Sequence, residues 1–167
     1  MSPPGGSVEV RLEERPGGVI ARITIDNQGK LNTLNSGLMA YFVEALRALA
    51  GNERLRAVVL TGAGERAFIG GADIEEMAKL DPGRARAFIT RVHECCHALR
   101  LLAAPVLARI SGFALGAGME IAAACDLRIA SASARFGMPE VKLGIPSVVE
   151  AALLPMLIGW GERGKSS

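Results

Sequence analysis

Ile110 to Pro146 reads ISGFALGAGMEIAAACDLRIASASARFGMPEVKLGIP, and the remainder of the chain is understood from this stretch. Gly116-Ala117-Gly118 is a turn of small residues, and Glu120 follows two positions later in surroundings almost free of charge. Glycines on either side of Ala117 open backbone torsions closed to other residues and let a ligand approach the main chain. The apolar run Ile121-Ala122-Ala123-Ala124 marks a helix beginning there. A helix start leaves N–H groups unpaired and carries partial positive charge, so the turn is built to receive an oxygen anion. Glu120, three residues past Ala117, falls on the same face of the first helical turn. A second carboxylate, Glu140, follows Phe136-Gly137-Met138-Pro139 after a strand-like apolar run. An anion cradle with two sheltered carboxylates points to proton chemistry beside a developing negative oxygen.

Towards the N-terminus, Val106 to Ile110 reads as a buried strand feeding this turn. Before it, an amphipathic helix runs from Pro82 to about Leu102 and is stopped by Ala104-Pro105. Ala67-Phe68-Ile69-Gly70-Gly71-Ala72-Asp73 repeats the logic of the centre: glycines, a small residue, then an acidic residue opening a helix from Ile74 to Leu80. Ala72 is therefore a second candidate N–H donor. Leu55 to Leu60 is a short buried strand turned by Thr61-Gly62-Ala63-Gly64. Asn35 or Ser36 caps a helix whose Leu38, Phe42, Leu46 and Leu49 recur at helical spacing. Val8 to Leu12 and Val19 to Ile25 alternate apolar with polar around Pro16-Gly17-Gly18, which makes a hairpin, and Asp26 to Lys30 is a polar loop. Past the centre, Leu127 to Ala130 and Ala134 to Phe136 are short strands, and Glu150 to Ile158 is a further apolar helix. Strands alternating with helices predict an α/β fold with crossovers, one domain over residues 8–167 behind a frayed tail at 1–7.

A chain of 167 residues suits a single domain, and 50% hydrophobic with 22% charged residues implies a packed core. Nineteen basic against 17 acidic side chains give a net charge of +2 with no basic cluster, which argues against a nucleic-acid partner. Cys95, Cys96 and Cys125 form no spaced framework and are expected to be reduced core residues in a cytoplasmic compartment. Met1 to Ser7 carries no export or transit pattern, and the charge-free segments fall short of the roughly 18 residues a membrane span needs. A soluble protein without membrane partner is expected.

Three short motifs compete for attention. His93-Glu94-Cys95-Cys96-His97 fits H-E-x-x-H, which in a zinc protease sets two imidazoles on one helix face. No downstream third ligand is evident, and the stripe reads as the polar side of the 82–102 helix. Gly159 to Ser166 fits G-x-x-x-x-G-K-[ST], but the sequence gives no helix after it to complete a phosphate cradle. Thr61-Gly62-Ala63-Gly64 lacks the third glycine of a dinucleotide loop and reads as a plain turn.

Taken together, Ala67 to Ile74, Ile110 to Glu120, Cys125-Asp126-Leu127 and Phe136 to Pro146 resemble the enoyl-CoA hydratase/isomerase (crotonase) family, over about Val8 to Gly161. The resemblance implies a crotonase-like spiral of repeated ββα units, assembly as homotrimers or trimer pairs, and acyl-CoA thioesters as substrates. Coenzyme A is then part of the substrate, with no separate cofactor and no metal. By position it makes the N–H groups of Ala72 and Ala117 the oxyanion hole for a thioester oxygen that becomes an enolate. Glu120 and Glu140 match the two glutamates that, in hydratases, hold a water between them. One activates it toward Cβ while the other supplies or removes the Cα proton. Isomerases of the family rely on the carboxylate matching Glu140 alone, so both together favour hydration of trans-2-enoyl-CoA to 3-hydroxyacyl-CoA over double-bond isomerisation. The loop Lys30-Leu31-Asn32 and the segment Gly71-Ala72-Asp73-Ile74-Glu75, with Gly116 and Ala117, resemble the parts that hold CoA.

Two departures from the family pattern stand out. Ser147-Val148-Val149-Glu150 replaces the usual glycines after the proline, which sets Glu150 where a small residue lines the acyl pocket. The family continues for several more helices beyond Gly161, and Gly164-Lys165-Ser166-Ser167 does not resemble that continuation. A C-terminally truncated, inactive CoA-binding chain is therefore the competing expectation, lacking the helical part that closes the pocket.

Overall fold

The hairpin of alternating residues forms first in chain order: β1 (Ser7–Arg15) and β2 (Gly18–Asp26) pair antiparallel, with Arg15 opposite Gly18 across Pro16-Gly17. The structure is a computed structural model in which residues 5–139 are described. Glu140, Glu150, the expected helix over 150–158 and the 159–166 loop match lie outside the described residues. β1 is a sheet edge, so its alternation leaves Val10 and Leu12 exposed, whereas β2 buries Ala21, Ile23 and Ile25.

Asn35, not Ser36, caps α1 (Ser36–Ala50), its Oδ1 accepting the Leu38 N–H at 2.8 Å. The stripe Leu38, Phe42, Leu46 and Leu49 is buried as the spacing predicts. α1 carries the chain across so that β3 (Leu55–Gly62) lies parallel to β2.

From β3 onward the chain repeats one move: a strand in a large sheet, a short strand in a second sheet, then a helix. β3 is followed by β4 (Ala67–Ile69) and the helices α2 (Ile74–Met77) and α3 (Pro82–Arg100). β5 (Val106–Ile110) is followed by β6 (Phe113–Leu115) and α4 (Ala117–Ala124). β7 (Leu127–Ala130) leads to β8 (Arg135–Gly137). The large sheet has the order β1-β2-β3-β5-β7 and the small one β4-β6-β8, parallel in every pair except the hairpin. This is the α/β spiral of ββα units that the resemblance implies.

Of the small sheet, β8 was legible as a strand near Ala134 to Phe136, but β4 and β6 were not, being three residues each and too short to show a period. α2 stops at Met77 rather than Leu80, because Asp81 already begins the next helix, accepting the Arg84 N–H at 2.9 Å. α4 starts at Ala117, which puts Glu120 on its first turn. At its other end Arg128 Nη1 donates to the carbonyls of Ala122, Ala123 and Cys125 at 3.0, 3.3 and 2.6 Å. A cation on three terminal carbonyls closes the helix and opposes its dipole.

Candidate active site

β4 and β6 run parallel with Ile69 opposite Ala114. Counting three residues on from each partner gives Ala72 and Ala117, the two candidate N–H donors, so parallel pairing carries both to the same end of the small sheet. The approach between the two turns is close. A Cβ on Gly71 would sit 3.2 Å from the Leu115 carbonyl oxygen, and one on Gly118 would sit 2.8 Å from the Ile69 carbonyl carbon and 2.9 Å from its Cβ. Glycine at these places is what allows the turns to touch.

The second turn is shaped by Gly116, at φ 50 and ψ −120, a conformation L side chains rarely adopt. Its N–H donates to the Gly137 carbonyl at 2.8 Å, which ties the turn to β8. Its carbonyl accepts from the N–H groups of Met119 and Glu120 at 2.9 and 3.1 Å. Ala117 is the first helical residue, so its own N–H has no acceptor within α4. Glu120 lies one turn further on and is only 5% exposed.

The first turn is held from outside. Gly70 N–H donates to the Leu31 carbonyl at 2.8 Å, Leu34 N–H to the Gly71 carbonyl at 2.8 Å, and Asp73 N–H to the Leu34 carbonyl at 2.9 Å. The Gly71–Ala72 peptide therefore has its carbonyl fixed by Leu34. A trans peptide directs its N–H opposite to its carbonyl, so the Ala72 N–H is turned away from the Leu34 segment. Among the described residues no backbone carbonyl accepts from the N–H of Ala72 or of Ala117.

Of the residues expected to hold CoA, several hold one another. Asp73, 7% exposed, caps α2 through Oδ1, which accepts the N–H groups of Glu75 and Glu76 at 3.0 and 3.2 Å. Its Oδ2 meets Lys30 Nζ at 3.1 Å, and the same ammonium meets Glu75 Oε2 at 2.7 Å. Burial pushes the Asp73 carboxyl up, but the Lys30 ammonium and the two α2 amides together hold it below the usual carboxylate value. The bonds to Glu75 and then Asp73 raise Lys30 above the usual lysine value. Ile74 is 62% exposed beside this trio, Leu31 is half-buried at φ 54, and Gly71 is buried.

Asn32 departs most from its sequence reading. In a loop that resembles part of the CoA-holding region, it is 1% exposed and its amide is enclosed by main chain. Its side-chain Nδ2 donates to the Ala63 and Ala67 carbonyls at 2.9 and 2.8 Å, and its Oδ1 accepts the Asn27 N–H at 2.9 Å. A buried role for one asparagine in a polar loop leaves no pattern in sequence. The only hint is Gly62 opposite, where a Cβ would sit 2.7 Å from Asn32 Nδ2.

Other groups do not join the site. His93 and His97 stack on the exposed face of α3 with ring centroids 6.1 Å apart. Among the described residues no third His, Cys, Asp or Glu completes a metal-holding group with them. Burial pushes the Cys125 thiol up to about 12, which removes it as a nucleophile at the end of α4. A groove of about 560 Å³ between α1 and α3, lined by Met39, Val43, Arg86, Thr90 and Arg91 among others, shares no residue with the two turns. Among the described residues no helix is long and apolar enough to cross a membrane.

Comparison with known proteins adds an independent line. A model of the family described as enoyl-CoA hydratase/isomerase matches residues 15–161. The chain is 43% identical over 145 residues to the short-chain-enoyl-CoA hydratase of Clostridium acetobutylicum, covering 86% of this chain and 56% of that protein. It is 36% identical over 143 residues to the crotonyl-CoA hydratase of Syntrophomonas wolfei, covering 85% and 55% respectively. The crystal structure of an enoyl-CoA hydratase from Bacillus anthracis superposes with a TM-score of 0.87 at 33% identity, over 97% of this chain and 61% of that one. The chain thus spans about half the length of the curated relatives it matches.

Proposed function

The chain belongs to the enoyl-CoA hydratase/isomerase family, and from that premise we propose that it adds water to trans-2-enoyl-CoA thioesters, giving 3-hydroxyacyl-CoA. The observation that carries this reading is the equal offset of Ala72 and Ala117 from the paired residues Ile69 and Ala114, with buried Glu120 one turn beyond. Two N–H groups brought to one end of a parallel sheet suit a single oxygen that gains negative charge.

The bound thioester sets its carbonyl oxygen against the N–H groups of Ala72 and Ala117. Water, oriented by Glu120 and Glu140, attacks Cβ and loses a proton to one carboxylate. The Cα=Cβ electron pair moves into the thioester as an enolate, whose oxygen the two amides stabilise. The other glutamate, neutral at the start, gives its proton to Cα, and passage of the water-derived proton between the two glutamates restores the pair, so atoms and charge balance with no group beyond substrate and water. Each amide contributes about 3 to 4 kcal/mol in such a role. Both are main-chain groups, so they keep their direction regardless of side-chain motion. Gly71, Leu31 and exposed Ile74, with Lys30 and Glu75 at the rim, form the wall offered to CoA. The cytoplasm and a homotrimer complete the proposal.

The test is loss of enone absorbance when crotonyl-CoA meets the purified chain, with molecular size measured in the same preparation. Glu120→Gln and Glu140→Gln are each expected to lower kcat by about 100-fold or more. Wild-type turnover in either variant overturns the assigned roles. No turnover by the chain itself, with CoA still bound, supports a CoA-binding role without catalysis instead.

A further inference from the structure

We infer that Asn32 is a positioning residue for the Ala72 donor, acting through the main chain and touching no substrate. This rests on the proposed hydration chemistry.

Asn32 sits between the two carbonyls that grip the donor turn. On one side of it, the Leu31 carbonyl accepts from Gly70. On the other, Leu34 bonds both Gly71 and Asp73. The direction of the Ala72 N–H follows from the Gly71 carbonyl, hence from Leu34, hence from the path of the 31–34 segment. That path is not one the chain adopts by default, since Leu31 and Asn32 have φ 54 and φ 57, two successive residues in the left-handed region.

The side chain of Asn32 holds the path in place. Its amide joins three pieces of backbone: the Asn27 N–H at the start of the loop, the Ala63 carbonyl after β3, and the Ala67 carbonyl at the start of β4. β4 leads directly into Gly70-Gly71-Ala72. One buried amide therefore fixes the clamp and the strand it clamps in a common frame. Both of its N–H hydrogens and its oxygen are engaged, so a change of position at either side leaves a main-chain group unpaired in the interior. The glycine at 62 supplies the room, as a side chain there would overlap the amide. The same loop was expected to meet CoA, but the enclosed amide leaves that part to Lys30 and Leu31.

The test uses a cinnamoyl-type thioester of CoA, whose absorption moves to longer wavelength when hydrogen bonds draw charge onto its carbonyl. Asn32→Gly is chosen because glycine accepts φ 57 without strain and so removes the amide alone. The wild-type chain is expected to shift the bound chromophore. In Asn32→Gly, at matched circular dichroism, the shift falls by half or more, and kcat for crotonyl-CoA drops by about 100-fold while KM stays within about threefold. Asn32→Ser, which keeps one donor, falls between, and it carries the test if the glycine variant does not fold. A folded variant with the full shift and unaltered kcat overturns the role of Asn32 and leaves the hydratase reading standing. No shift and no turnover in the wild-type chain overturns the hydratase reading, and the positioning role falls with it.

Discussion

The two donor turns do one geometric task by opposite means. The turn at 70–73 is held by bonds from a neighbouring segment: three main-chain bonds to Leu31 and Leu34, the Asp73 cap, and the Lys30 bridge. The turn at 116–120 has one such bond, from the Gly116 N–H to the Gly137 carbonyl, and is otherwise held by the absence of side chains, with Gly116 in its special conformation and Gly118 flat against Ile69. Hydrogen bonds tolerate shifts of a few tenths of an ångström with modest loss, whereas backbone in contact with backbone tolerates almost none. The first turn should therefore bend under substitution and the second should break.

The sharpest way to break that contrast is Gly118→Ala. Its Cβ would overlap the Ile69 carbonyl, a main-chain group in a buried strand that has nowhere to go. α4 must lift from β4, at a cost of about 3 kcal/mol or more, read as a lowered urea midpoint. A midpoint within experimental error of wild type would show that α4 is free to move and that packing does not hold the second turn.

How much of this was legible beforehand divides along the same line. Glycine runs announce themselves, so Gly70-Gly71-Ala72 and Gly116-Ala117-Gly118 were readable as turns before helices. The Pro82 start of α3, a cap at Asn35 or Ser36 and the extent of β7 were readable for local reasons. What no local signal carries is register. Ile69 opposite Ala114 is what gives the two turns a common end, and it belongs to strands of three residues. The burial of Glu120 was legible from its nearly charge-free surroundings, whereas that of Asn32 was hidden, because an asparagine just past a polar loop is ordinarily a surface residue. The polar scaffold of the first turn was thus the least visible part, since most of its bonds join residues far apart in sequence, Asn32 to Ala67 among them.

Gly71→Ala probes the same contrast from the bonded side. Gly71 has φ 111, and its new Cβ would lie 3.2 Å from the Leu115 oxygen, tight without being impossible. A cost of about 1 to 2 kcal/mol is expected, from backbone strain rather than collision. The thermal midpoint should fall less than in Gly118→Ala. An equal or larger fall would show that the bonded turn is no more yielding than the packed one.

The smallest expected effect is the most specific to the bonded turn. Lys30→Met keeps a stem of similar length and removes the charge shared by Asp73 and Glu75, so any stability it loses should depend on pH. Asp73 is held below its ordinary value of 3.8, so its contribution is present above that pH and is lost as pH falls through the lowered value. Lys30 is held above its ordinary value of 10.5, so its contribution is present below that pH and is lost as pH rises through the raised value. The gap between wild type and variant in unfolding midpoint should therefore be flat from about pH 5 to pH 10 and narrow toward either end. It should also shrink in high salt, because the ammonium is partly exposed and screened. A gap that persists at pH 2 or in molar salt would trace to packing of the lysine stem rather than to its charge. The first turn would then rest on its main-chain bonds and the Asp73 cap, with no electrostatic share from Lys30.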